Sequence, residues 1–104
     1  MRILHKMFAY MGEPMIIKKN QDIKQEVIDG ETILYNSIKQ QIITLNETAT
    51  YIWNLIGDHS IDEIENIFLD SYEFRDDRHR MQAKNDLRMV IERLYASGCI
   101  QCHD

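Results

Sequence analysis

The spacing of apolar residues changes once along this chain, at Asn46, and that change decides the fold class. Before it the pattern is β. Gln25–Ile28 and Thr32–Tyr35 are short β-prone runs, and between them lies Asp29-Gly30. That dipeptide suits a tight hairpin because its glycine tolerates positive φ. Asn36-Ser37 is a second turn signal, and Gln41–Leu45 (Gln-Ile-Ile-Thr-Leu) is a third β-branched run. Residues 22–45 therefore read as a three-stranded antiparallel meander.

After Asn46 the period is helical. Asn46 is a good N-cap, with Glu47 in the first turn, where the helix dipole favours an anion. Ala49, Ile52, Trp53 and Ile56 recur at three and four residues and make one apolar face, which Gly57 terminates. Core packing is the expected role of Trp53. Ser60-Ile61-Asp62-Glu63 fits a capping box for a second helix. Its apolar stripe is Ile61, Ile64, Ile67 and Phe68, and it ends near Tyr72. The charged stretch 73–80 reads as a loop. A third helix runs from about Gln82 to Ala96 with Leu87, Val90, Ile91 and Leu94 inward and Gly98 as its cap. Cys99-Ile100-Gln101 could pair briefly as a strand. The order implies an α+β fold, winged-helix-like: a three-stranded antiparallel sheet followed by a three-helix bundle.

At 104 residues the chain is one domain in size. Such a domain buries roughly 60–65% of its unfolded surface, enough for one core but little beside it. Residues 1–20 read as an N-terminal arm or an extra strand, and residues 21–104 as the domain proper. Gly12-Glu13-Pro14 is a turn signal between two apolar runs, Ile3–Met11 and Met15–Ile17, and Lys18-Lys19-Asn20 reads as a boundary. The arm could fill the protein's own groove, exchange with a second copy to make a homodimer, or stay free.

Net charge is −5, from 12 Lys plus Arg against 17 Asp plus Glu. That balance is repelled by a phosphate backbone and argues against general nucleic-acid binding. His5 and Lys6 interrupt the first apolar run, no small-residue cleavage site follows, and nothing approaches the roughly 20 apolar residues of a membrane span. The reading is a cytoplasmic protein without membrane association.

Several stretches together resemble the PqqD family of precursor-peptide recognition elements. They are Glu26-Val27-Ile28-Asp29-Gly30-Glu31 and Leu45-Asn46-Glu47-Thr48-Ala49 leading into Tyr51-Ile52-Trp53. Ser60-Ile61-Asp62-Glu63-Ile64 after Gly57-Asp58, and Leu94-Tyr95-Ala96-Ser97-Gly98-Cys99-Ile100, complete the set. The resemblance covers about Lys24 to Ile100. It implies a peptide-binding domain that takes the leader segment of a ribosomally made precursor peptide and presents it to a modifying enzyme. The enzyme would be a radical-SAM protein, as in pyrroloquinoline quinone (PQQ) synthesis, or a protease or cyclase of another peptide-maturation system. The leader would pair as an extra strand with the third strand and lie against the third helix. The roughly twenty residues at the start and the cysteine pair at the end depart from the pattern and leave the pathway open.

The residues support that mode on physical grounds. Strand addition draws affinity from main-chain hydrogen bonds and specificity from side-chain pockets. Lys39, Gln40, Gln41, Ile42, Ile43 and Thr44 form or precede the last strand of the meander, which can sit at an edge. The polar members also suit plain protection of that edge against aggregation. Arg80, Lys84 and Arg88 recur at i, i+4 and i+8 beside Leu87 and Ile91. Residues 75–93 hold six basic side chains against four acidic ones in an otherwise acidic chain. Such a stripe suits a peptide with acidic and apolar positions, although it is also what a solvated helix face looks like, with Asp86 and Glu92 as local partners.

Other signals are weaker. Cys99-Ile100-Gln101-Cys102-His103 matches a haem-attachment pattern, which would require export, and as a zinc site it lacks a fourth ligand. His5, His59, His79 and His103 are scattered, and no phosphate loop or nucleophile motif appears. No catalytic residue, metal or cofactor is expected. The competing function is a winged-helix DNA-binding regulator that reads with its third helix.

Overall fold

The computed structural model describes residues 16–57 and 59–103, without the side chain of His103. Of residues 1–20, read as an N-terminal arm or an extra strand, residues 1–15 lie outside them. The three-strand meander is present as β2 (Ile23–Ile28), β3 (Glu31–Asn36) and β4 (Gln41–Leu45), a sheet ordered β2-β3-β4 with antiparallel neighbours. Asp29 and Gly30 carry φ of 52° and 81° and so make the tight primed turn that matches strand twist. Three helices follow: α1 (Glu47–Leu55), α2 (Ile61–Asp70) and α3 (Asp77–Ala96).

The caps are where the sequence puts them. Asn46 Oδ1 accepts from Ala49 N–H at 2.9 Å. Ser60 Oγ accepts from Glu63 N–H at 3.2 Å while Glu63 Oε1 accepts from Ser60 N–H at 3.0 Å, a reciprocal capping box. The Ser60 backbone N–H first, and the Ser60 hydroxyl after it, hold the Glu63 carboxyl below its usual pKa.

Three boundaries differ from the sequence reading. α2 stops at Asp70. α3 begins at Asp77, five residues before Gln82, because the Asp76 carboxylate accepts from His79 N–H at 2.8 Å and caps it. Residues 73–76 are a loop as expected, but the charge density of residues 77–80 belongs to the first turn of a helix. Lys18-Lys19 is no boundary: both belong to β1 (Ile16–Lys19), which pairs antiparallel with β5 (Ile100–His103) in a second, two-stranded sheet. The terminal strand is thus longer than Cys99-Ile100-Gln101 suggested and begins one residue later.

One core joins all these parts. Leu34, Ile43 and Leu45 enter it from the sheet, and Ile52 and Trp53 from α1. Ile64 and Phe68 come from α2, Leu87, Ile91 and Leu94 from α3, and Ile17 and Ile100 from the small sheet. Trp53 is 1% exposed; its Nε1–H donates to Gln25 Oε1 at 2.9 Å, and Lys19 Nζ sits 4.5 Å from its ring centroid. Burial lowers the pKa of that lysine. Among the described residues no helix is long and apolar enough to cross a membrane.

Candidate functional site: the outer edge of β4

Alternation along the sheet sorts its side chains. Thr32, Leu34 and Asn36 of β3 and Ile43 and Leu45 of β4 are buried against the helices, whereas Tyr35, Ile42 and Thr44 face away from them. β4 pairs with β3 on one side and, among the described residues, with no strand on the other. Among the described residues, its outer border therefore has no strand to pair its backbone groups, although the Leu45 carbonyl accepts from Thr50 Oγ1 at 3.2 Å. Natural edges are usually blunted with charge or proline. Gln41–Leu45 has neither, and Ile42 is 70% exposed.

The turn leading into β4 is fixed to the end of α3. Asn36, 4% exposed, accepts from the N–H groups of Ile38 (3.1 Å) and Lys39 (3.2 Å) through Oδ1, and donates from Nδ2 to Ser97 O at 3.0 Å. Lys39 Nζ donates to Ala96 O at 3.4 Å, a cation at the negative end of the helix dipole. Gly98 closes this junction. At φ 74° it adopts a conformation that favours glycine, and a Cβ there would stand 2.9 Å from Asn36 Nδ2. Burial pushes the Cys99 thiol pKa up, while the positive charges of Lys39 and Arg93 pull against it.

The structure distributes the sequence-derived site residues unevenly. Gln41, Ile42, Ile43 and Thr44 line β4 as expected, with Gln40 in the turn before them at φ 52°. Ile43, Leu87 and Ile91 are 6%, 1% and 0% exposed, so they belong to the core and are not open surface. Lys39 is engaged on the helix end. The basic residues separate. Each step of four residues drifts about 40° around a helix, so Arg80, Lys84 and Arg88 wind round α3. Lys84 Nζ reaches Glu65 Oε1 on α2 at 3.2 Å, and the Arg80 guanidinium lies 5.9 Å from the Phe74 ring centroid. That flank of α3 faces α2. Arg93, nine residues on from Lys84, is about half a turn away on the other flank, with half-buried Val90 between it and the core face. Sequence reasoning missed this flank because periodicity identifies the buried stripe of a helix but not which neighbour lies to either side.

Cys99 is buried and Cys102 half-buried, and no disulfide joins them. Among the described residues no group of three or more His, Cys, Asp or Glu side chains is placed to hold a metal ion.

Residues 31–100, from β3 to the start of β5, match the family described as coenzyme PQQ synthesis protein D (PqqD). The chain belongs to the PqqD family. Two solved structures share the PqqD-like arrangement found here. One is TbiB1 in complex with the TbiA(beta) leader peptide, with a TM-score of 0.67 and 20% identity, covering 81% of this chain and 94% of that one. The other is lasso peptide synthetase B1 complexed with the leader peptide, with a TM-score of 0.64 and 21% identity over 82% of this chain and 96% of that one. A comparison with curated proteins finds no significant match.

Proposed function

We propose that this chain captures the leader segment of a ribosomally made precursor peptide as an added strand on β4 and delivers it to a separate modifying enzyme, taking no part in the chemistry itself. The carrying observation is the outer edge of β4, unguarded by charge or proline, with Ile42 70% exposed. Both structural neighbours are complexes with leader peptides, which supports leader capture here. Main-chain groups of Gln41, Ile42, Ile43 and Thr44 would bond the guest. Its inward side chains would pack over the ground backed by Ile43, Leu87 and Ile91.

The helix-side wall we assign to the α3 flank bearing Val90 and Arg93. Arg80, Lys84 and Arg88 act in this reading as a secondary electrostatic surface. The partner enzyme, a radical-SAM protein, a protease or a cyclase, operates with this module in the cytoplasm. A second copy of the chain is a further candidate partner.

The test uses synthetic peptides tiling the precursor encoded nearest this chain's gene, titrated by fluorescence anisotropy. A bound peptide is then N-methylated one residue at a time. Strand addition predicts that affinity falls at every second amide, because alternate N–H groups face β4. Equal tolerance of methylation at all positions refutes it.

A further inference from the structure

The face of the sheet turned away from the helices carries an ordered row. By strand register Lys24 of β2 stands opposite Tyr35 of β3, and Tyr35 stands opposite Ile42 of β4. All three belong to the outward set, and Tyr35 and Ile42 are 37% and 70% exposed. The row below runs Glu26, Ile33, Thr44. Isolated exposed apolar side chains are ordinary. Here, however, the most exposed one in β4 ends a row at the edge where the next strand would lie. Directly opposed residues on neighbouring strands hold their Cβ atoms about 4.5–5.5 Å apart. Any strand hydrogen-bonded to β4 must therefore place one outward side chain beside Ile42, and another, two residues along, beside Thr44.

We propose that Ile42, backed by Tyr35, is a second side-chain subsite for the guest strand, selecting a β-branched or aromatic residue at a position pointing away from the helices. The proposal rests on the strand-capture reading of β4 and adds a chemical requirement to it. The helix-facing positions of the guest meet the core side. The opposite phase is not left to solvent: it carries one apolar residue next to Ile42 and, two places away, a threonine-compatible residue next to Thr44. A guest apolar in only one phase would leave Ile42 uncovered. The segment captured is therefore apolar on both faces at its centre, unlike an ordinary surface strand, which alternates apolar and polar.

The deciding experiment selects a randomised 12-residue peptide display library on the immobilised full chain and, separately, on Ile42→Thr. Threonine keeps β propensity and removes the apolar bulk. Ile42 is 70% exposed, so the variant folds, as an unchanged melting curve checks. The wild-type chain should enrich peptides with apolar residues in one alternating phase plus a β-branched or aromatic residue in the other. Ile42→Thr should keep the first preference and lose the second. A synthetic peptide from the wild-type pool should bind Ile42→Thr several-fold more weakly, up to about fivefold, the size of a good cross-strand pair. If both chains enrich the same two-phase pattern, the outward subsite is refuted while strand capture stands. If neither chain enriches any alternating pattern, strand capture itself fails and this inference falls with it.

Discussion

Replacing Asn36 with alanine should destabilise the protein by about 2 kcal/mol and loosen β4 against α3. The size follows from the bonds removed. Asn36 is 4% exposed and makes three hydrogen bonds, two accepted within the β3–β4 turn and one donated to Ser97 O. An intramolecular hydrogen bond is worth about 1 kcal/mol net. Ile38 is 74% exposed, so its N–H and the neighbouring one on Lys39 rehydrate in the variant, and their loss costs less than the full amount. The Ser97 carbonyl is part-buried and pays more of the desolvation penalty.

Unfolding entropies near 2.1 cal/mol/K per residue, over 104 residues, convert about 2 kcal/mol into a fall in Tm of about 9 °C. Asn36→Asp sharpens the test. It keeps the Oδ1 that accepts both turn bonds and loses only the donor, facing Ser97 O with a carboxylate oxygen instead, so it should lose the inter-element bond while leaving the turn intact. Urea denaturation followed by Trp53 fluorescence reads the stability of both. If Asn36→Ala lies within 0.5 kcal/mol of wild type, roughly the noise of a neutral surface change, the junction does not hold β4 in place.

Other outcomes follow from the same geometry. Glu65 is 6% exposed and its Oε2 has no hydrogen-bond partner among the described residues, so Lys84→Ala, which strands the carboxylate, should cost roughly 1–3 kcal/mol, whereas Glu65→Leu should be near neutral. Calorimetry giving the reverse order would overturn that reading of the pair. Ser60→Ala should cost about 1 kcal/mol. It should also flatten the acid limb of the stability curve. The Glu63 pKa is depressed from 4.5 in the fold, so its stabilisation is present above that pH and lost as pH falls through the folded value. Cys99 is 0% exposed and its pKa is raised from 9.0, so maleimide should label it only through opening of the fold. Its neutral thiol contributes stability that is present below pH 9.0 and lost as pH rises through the folded value.

The meander, the three helices and two of the caps were legible because each rests on local rules: Asp29-Gly30 for the primed turn, Asn46 and Ser60 for N-termini, and apolar spacing for the faces. The start of α3 was missed because Asp76 is a cap whose signal is hidden among six other ionisable residues in 73–80. β1 was missed as a full strand because its two lysines read as punctuation. Only its partner β5, some eighty residues away, makes Lys18 and Lys19 a strand. For the candidate site, the composition of β4 and a place at an edge were both readable, but the strand order that fixes that place among the described residues is a tertiary property. The basic stripe was visible, but its direction was not. Lys84 turns to α2 because Glu65 lies buried there, and no spacing rule in α3 encodes a carboxylate on another helix.

Ile16 lies directly opposite His103 in the small antiparallel sheet, which gives the unit a modular consequence. The first and last described residues are neighbours across one inter-strand gap, about 5 Å. A surface loop of a host protein need open by no more than that to accept the whole unit as an insertion. The sheet that forms this doorway is also separate from the one that owns β4, so a splice at these points interrupts no backbone bond of the strand assigned to the guest.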